Sequence, residues 1–118
     1  MNWSAIGAGA LALAVVLGAF GAHGLKGRVD DYAIGIWERA VFYHFIHALG
    51  LLVIPLFRIR RVNWVAVLLM IGILLFSGSL YVLVLSGVRM VGVVTPFGGL
   101  AFIAAWLLLA FELWRAKS

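Results

Sequence analysis

Polar and charged positions divide this chain into four long apolar stretches. Three of them carry no charge: Trp3 to Ala22, Val62 to Val88 and Met90 to Phe111. Each is long enough to cross a hydrocarbon core, which needs about 20 helical residues. The fourth, Ala40 to Phe57, is shorter and holds two histidines. It reaches spanning length only with Trp37, Glu38 and Arg39 at the headgroup level. The pattern predicts an all-α membrane protein, a four-helix transmembrane bundle forming a single domain over residues 1–118.

The boundaries of these stretches carry local signals. Met1 and Asn2 lack the basic charge of a signal peptide, and the first run is long for an h-region, so we expect a retained helix. In that helix Ala10, Ala14, Gly18 and Ala22 recur every four residues, a smooth ridge for close packing in lipid. Asp30 or Asp31 is placed to cap a helix starting near Tyr32, and Tyr32 and Trp37 suit the membrane interface. The second span ends near Pro55. The third carries the motif LFSGSLY at Leu75 to Tyr81, and Gly72, Ser79 and Ser86 recur at seven-residue spacing as another packing seam. The Thr95-Pro96 step predicts that the last helix starts there, with Thr95 as N-cap. The alternative is a helix from Met90 kinked at Pro96.

Composition changes this picture little. With 66% hydrophobic and 11% charged residues, the chain is more apolar than a soluble domain, whose apolar share is about half. It has no cysteine, which excludes disulfides and thiolate metal sites. The net charge of +5 would suggest nucleic acid in a soluble protein, but here the basic residues flank apolar spans, and no nucleic-acid partner is expected. Arg58, Arg60, Arg61, Arg115 and Lys117 fall on one side of four spans. Lys26, Arg28, Arg39 and Arg89 fall on the other. The clustering of the first group predicts both termini in the cytoplasm. Glu112 and Arg115 read as a surface pair of small energetic worth, and Trp106, deeper than the usual aromatic belt, reads as a packing residue.

Candidate chemistry sits in the stretch Trp37 to Leu52, WERAVFYHFIHALGLL, because ionisable side chains inside a membrane are costly and mark functional candidates. Counting residues inward from Trp37 puts His44 about 10 Å below the surface at 1.5 Å per residue. On that count Tyr43, His44, His47, Ser77, Ser79, Tyr81 and Thr95 share one polar layer in the outer half of the bundle. Gly18, Gly21, Gly78, Gly98 and Gly99 are its expected packing positions. The histidines are expected to be neutral and bonded to hydroxyls of other spans.

Four motifs in this order, GAFGAHG at Gly18 to Gly24, YHFIHAL at Tyr43 to Leu49, LFSGSLY and TPFGG at Thr95 to Gly99, resemble the DUF423 family of small bacterial membrane proteins. This family is also called UPF0382 and is related to vertebrate transmembrane protein 256. The resemblance covers essentially the whole chain and implies a four-helix inner-membrane protein, with no catalytic residues to carry over.

Three functions fit the residues. One is a structural or assembly protein that packs with itself or with a larger membrane complex. The alternative is a proton-coupled or small-solute transporter working as an oligomer, with histidine relays and a helix N-terminus at Thr95. The third is a metal or haem site, although two histidines three apart on one helix cannot take opposite axial faces of one haem. Hydrolase, phosphate-loop and paired-acid motifs are absent, so no enzyme, cofactor or metal is expected.

Overall fold

In the computed structural model, residues 1–116 are described. Lys117, counted above among the basic residues, lies outside them, as does Ser118. Four helical runs are long and apolar enough to cross a membrane: Trp3–His23, Asp31–Leu56, Val62–Ser86 and Arg89–Ala116. They run up and down in a bundle 54 Å long and 26 by 20 Å across.

Local chemistry sets the ends of these runs. Helix α1 (Trp3–His23) starts at Asn2, whose side chain accepts from the Ala5 N–H at 3.0 Å. Its last turn closes with the Gly24 N–H on the Phe20 carbonyl. The loop then turns through Gly27, where φ is +83° and a side chain would be strained. Asp30 caps α2 (Asp31–Val53) by accepting from the Ala33 N–H at 2.8 Å, as its position before an apolar helix predicts. A 3₁₀ turn over Ile54–Leu56 with Pro55 ends the second span.

The third span is not one regular helix. Helix α3 (Val62–Gly72) passes into a π-helical segment, Ile73–Ser77, before α4 (Gly78–Ser86) resumes. At the seam the Gly78 N–H reaches back five residues to the Ile73 carbonyl. No spacing in LFSGSLY announced that extra residue. Gly87, at φ +72°, terminates α4, a common glycine role at helix C-termini.

Before the last helix the chain coils in a 3₁₀ turn, Arg89–Val93, and then α5 (Thr95–Ala116) begins. Regular α-helix therefore starts at the Thr-Pro step, but Val94 already has helical dihedrals, so Thr95 is the first residue of the helix and not its expected N-cap. The approach from Arg89 is a tighter helical turn rather than an extended break.

Helix α2 and the third span form the centre. Helix α1 packs along α2, while α5 packs along α3 and the π segment. Two apolar clusters hold the ends. One joins Trp3, Leu51, Ile54, Val65, Leu69, Phe102 and Leu109, and the other joins Leu25, Ile36, Trp37, Leu80 and Val84. Between them lie the buried polar residues His44, His47, Ser77 and Ser79.

Two expectations need correction here. Trp37 is not an interface residue: it is 1% exposed, and its indole N–H donates to the Leu17 carbonyl at 2.8 Å. The helix of the second span begins at Asp31, where a cap at Asp30 or Asp31 is expected to start it. His44 lies thirteen residues into it, about 20 Å along the axis, near the middle of α2. The α1 ridge is also different, since Gly7, Ala14 and Gly21 are buried while Ala22 is exposed. A four-residue step drifts about 40° around a helix with 3.6 residues per turn, and a seven-residue step only about 20° the other way.

Candidate functional site

Polar side chains of the second, third and fourth spans meet between the two apolar clusters, around the π segment and the start of α4. His44 is 2% exposed. Its Nδ1 lies 2.8 Å from the Tyr81 hydroxyl of α4. The imidazole therefore links α2 to α4.

Ser77 is completely buried in the π segment and donates to the Ala40 carbonyl of α2 at 2.7 Å. Ser79 donates to the Phe76 carbonyl at 2.9 Å, closing a polar backbone group beside the π turn. A hydroxyl has a single hydrogen, so the Thr95 hydroxyl, 2.6 Å away, donates to Ser79. Thr95 thus begins α5 by bonding the third span.

His47 behaves differently from His44. It is 5% exposed, yet its Nδ1–H donates to the Tyr43 carbonyl one turn back in α2 at 2.7 Å. The expectation of a hydroxyl partner on another span fails for His47. The reason is rotation: residues three apart differ by about 60° around a helix, so His47 turns toward α5. There its ring stacks on Phe102 with centroids 3.4 Å apart and stands 5.6 Å from Trp106. Tyr43 likewise gives its ring to Phe76, at 4.5 Å. Trp106 is a packing residue as its depth suggests, lying against His47 and over Gly50.

The glycines divide in the same way. A side chain on Gly98 would collide with the backbone N of Phe76, and one on Gly21 with the Trp37 ring. Gly18 makes ordinary contact with Val41, while around Gly78 and Gly99 the nearest atoms are 3.8 and 3.9 Å from an added Cβ. Those two do not mediate close approach. Other glycines do, among them Gly7, which meets the α2 backbone at Leu52, and Gly72, which meets the Phe102 ring.

At the end carrying the termini, Glu112 is 3% exposed and pairs with Arg61 at 3.0 Å. The expected surface pair of Glu112 with Arg115 gives way to this tie between α5 and the start of the third span. Arg115 lies over the Phe111 ring at 5.6 Å. Nearby, the Trp3 indole donates to Asn63 at 2.8 Å. Among the described residues no group of three or more His, Asp or Glu side chains comes together.

A family model described as a protein of unknown function, DUF423, matches residues 17–99, which include the His44–Tyr81, Ser77–Ala40 and Ser79–Thr95 ties. The chain belongs to the DUF423 family. A UPF0382 membrane protein of Staphylococcus haemolyticus is 44% identical over 113 residues, covering 93% of each chain. One from Bacillus subtilis is 46% identical over 102 residues, covering 82% of this chain and 83% of the relative. Another, from Staphylococcus epidermidis, is 52% identical over 100 residues and 82% of both. No solved structure matches. These relatives are membrane proteins by name, and the four apolar spans of this chain agree with that name.

Proposed function

We propose that this DUF423 protein is a structural or assembly component of the bacterial inner membrane. In this reading a polar layer fixes the bundle, and the outer face of the bundle docks on a second copy or a larger membrane complex. The reading rests chiefly on how the polar groups are used. His44, Ser77, Ser79, Tyr81 and Thr95 bond one another or the backbone of neighbouring spans. Among the described residues no buried side-chain nitrogen or oxygen lacks a partner. A transport path or catalytic centre needs polar atoms that remain available to the substrate. Interhelical ties need the reverse.

Docking has its own support. Helix α1 packs principally against α2 and turns Ala5, Gly9 and Ala12 outward. A side chain added at Gly9 would meet nothing within 4 Å. Small residues let another helix approach closely in lipid. We place both termini in the cytoplasm on the clustering of Arg58, Arg60 and Arg61.

The test is co-purification of two differently tagged copies from mild detergent, with crosslinking in the membrane. Wild type is expected to recover its partner copy or a stoichiometric second protein. Gly9→Phe should fold and lose that partner. A wild-type protein that is monomeric and unaccompanied in the membrane contradicts the proposal.

A further inference from the structure

Two hollows lie end to end along the seam between α2 and α5. The first is a slot of about 280 Å³ between the helices, with Gly50 at its base and Ile46, Phe57, Trp106 and Leu109 among its walls. Its lining side chains are all aliphatic or aromatic. The slot exists because α2 and α5 meet here through side chains, with the Trp106 ring standing over Gly50.

The second hollow, of about 200 Å³, starts where the first stops. The chain passes from Phe57 to Arg58 at one wall and from Leu109 to Glu112, one turn on, at the other. Arg58, Arg60 and Arg115 line it together with Glu112. The Glu112 carboxylate is already held by Arg61 at 3.0 Å. The pocket therefore presents the Arg58 and Arg60 guanidinium groups beside a carboxylate that is already paired.

We infer that this seam binds one anionic phospholipid, with an acyl chain in the α2–α5 slot and its phosphate in the arginine pocket. Charge and polarity change together at the Phe57–Arg58 step, as they do in a phospholipid between chain and headgroup. Guanidinium groups hold phosphate oxygens through paired hydrogen bonds, and basic pockets between spans are suited to anionic headgroups. A zwitterionic headgroup would bring its own cation up to Arg58 and Arg60. The inference goes beyond the assembly role and does not depend on it.

The test uses the whole protein in mild detergent, with lipid retention read by native mass spectrometry. Dioleoyl phosphatidylglycerol should be retained about fivefold or more over dioleoyl phosphatidylcholine. The double variant Arg58→Gln/Arg60→Gln, altered only at exposed loop positions, should lose most of that preference. Lys26→Gln/Arg28→Gln removes equal charge at the opposite end and should keep it. Ile46→Trp fills the slot from its exposed side and should weaken phosphatidylglycerol retention while leaving any thermal shift by inorganic phosphate unchanged. Equal retention of the two lipids by wild type overturns the inference. So does a preference that survives the Arg58/Arg60 change, one lost equally in the Lys26/Arg28 control, or one indifferent to Ile46→Trp.

Discussion

Arg61 reaches across the start of the third span to place its guanidinium 3.0 Å from the Glu112 carboxylate, and the two partners are unequally buried, 42% exposed against 3%. Removing the partner of a buried charge is worse than removing the buried charge itself, because the remaining ion has no access to water. Arg61→Met should therefore lower stability in detergent by about 2 kcal/mol, below the figure for fully buried pairs because Arg61 is partly solvated. Glu112→Gln should cost less than about 1 kcal/mol, since Arg61 can turn to headgroups or water. Thermal unfolding of the two variants checks the order. The reverse order, or equal losses, contradicts a buried carboxylate at this site.

Gly98 and Gly99 are adjacent in sequence and differ sharply in surroundings. A Cβ on Gly98 would meet the backbone of the π segment at Phe76, while one on Gly99 comes no nearer than 3.9 Å to a side-chain atom. Gly98→Ala should push α5 off the third span and destabilise the fold by about 1–3 kcal/mol, the usual range for overpacking. Gly99→Ala should be neutral or stabilising by up to about 1 kcal/mol, because alanine is the better helix former. Parallel melts of the two variants settle the point.

The orientation proposed from Arg58, Arg60 and Arg61 is tested with a reporter that is active only after export. Alkaline phosphatase fused after Ser118 should remain inactive, and the same enzyme fused after Arg28 should be active. Activity at Ser118 reverses the orientation.

Much of the architecture is legible in the sequence because a bilayer imposes length and polarity on whole segments. Four apolar runs gave four spans, Asp30 capped α2 where a carboxylate before an apolar helix should, and regular α-helix in the last span begins at Thr95. What escaped was set by rotation and by partners far along the chain. The π segment adds one residue to a turn, and no spacing in LFSGSLY reports it. Trp37 has the composition of an interface residue but meets Gly21 and the Leu17 carbonyl, both on α1. Glu112 is three residues from Arg115 in sequence, yet the partner it takes, Arg61, lies on another span. The histidines were legible as polar groups needing partners. That His44 finds the Tyr81 hydroxyl while His47 turns back onto its own helix follows from a rotation of about 60° set against neighbours the sequence does not place.

The central claim is that the buried polar groups hold the spans together, and the His44–Tyr81 bond at 2.8 Å is its most exposed point. A double-mutant cycle of His44→Phe, Tyr81→Phe and the pair, measured by thermal or denaturant unfolding in detergent, isolates that bond. The account predicts a favourable coupling of about 0.6–1.7 kcal/mol, the range of interhelical hydrogen bonds in membranes. A coupling of zero, with both single variants as stable as wild type, would contradict it.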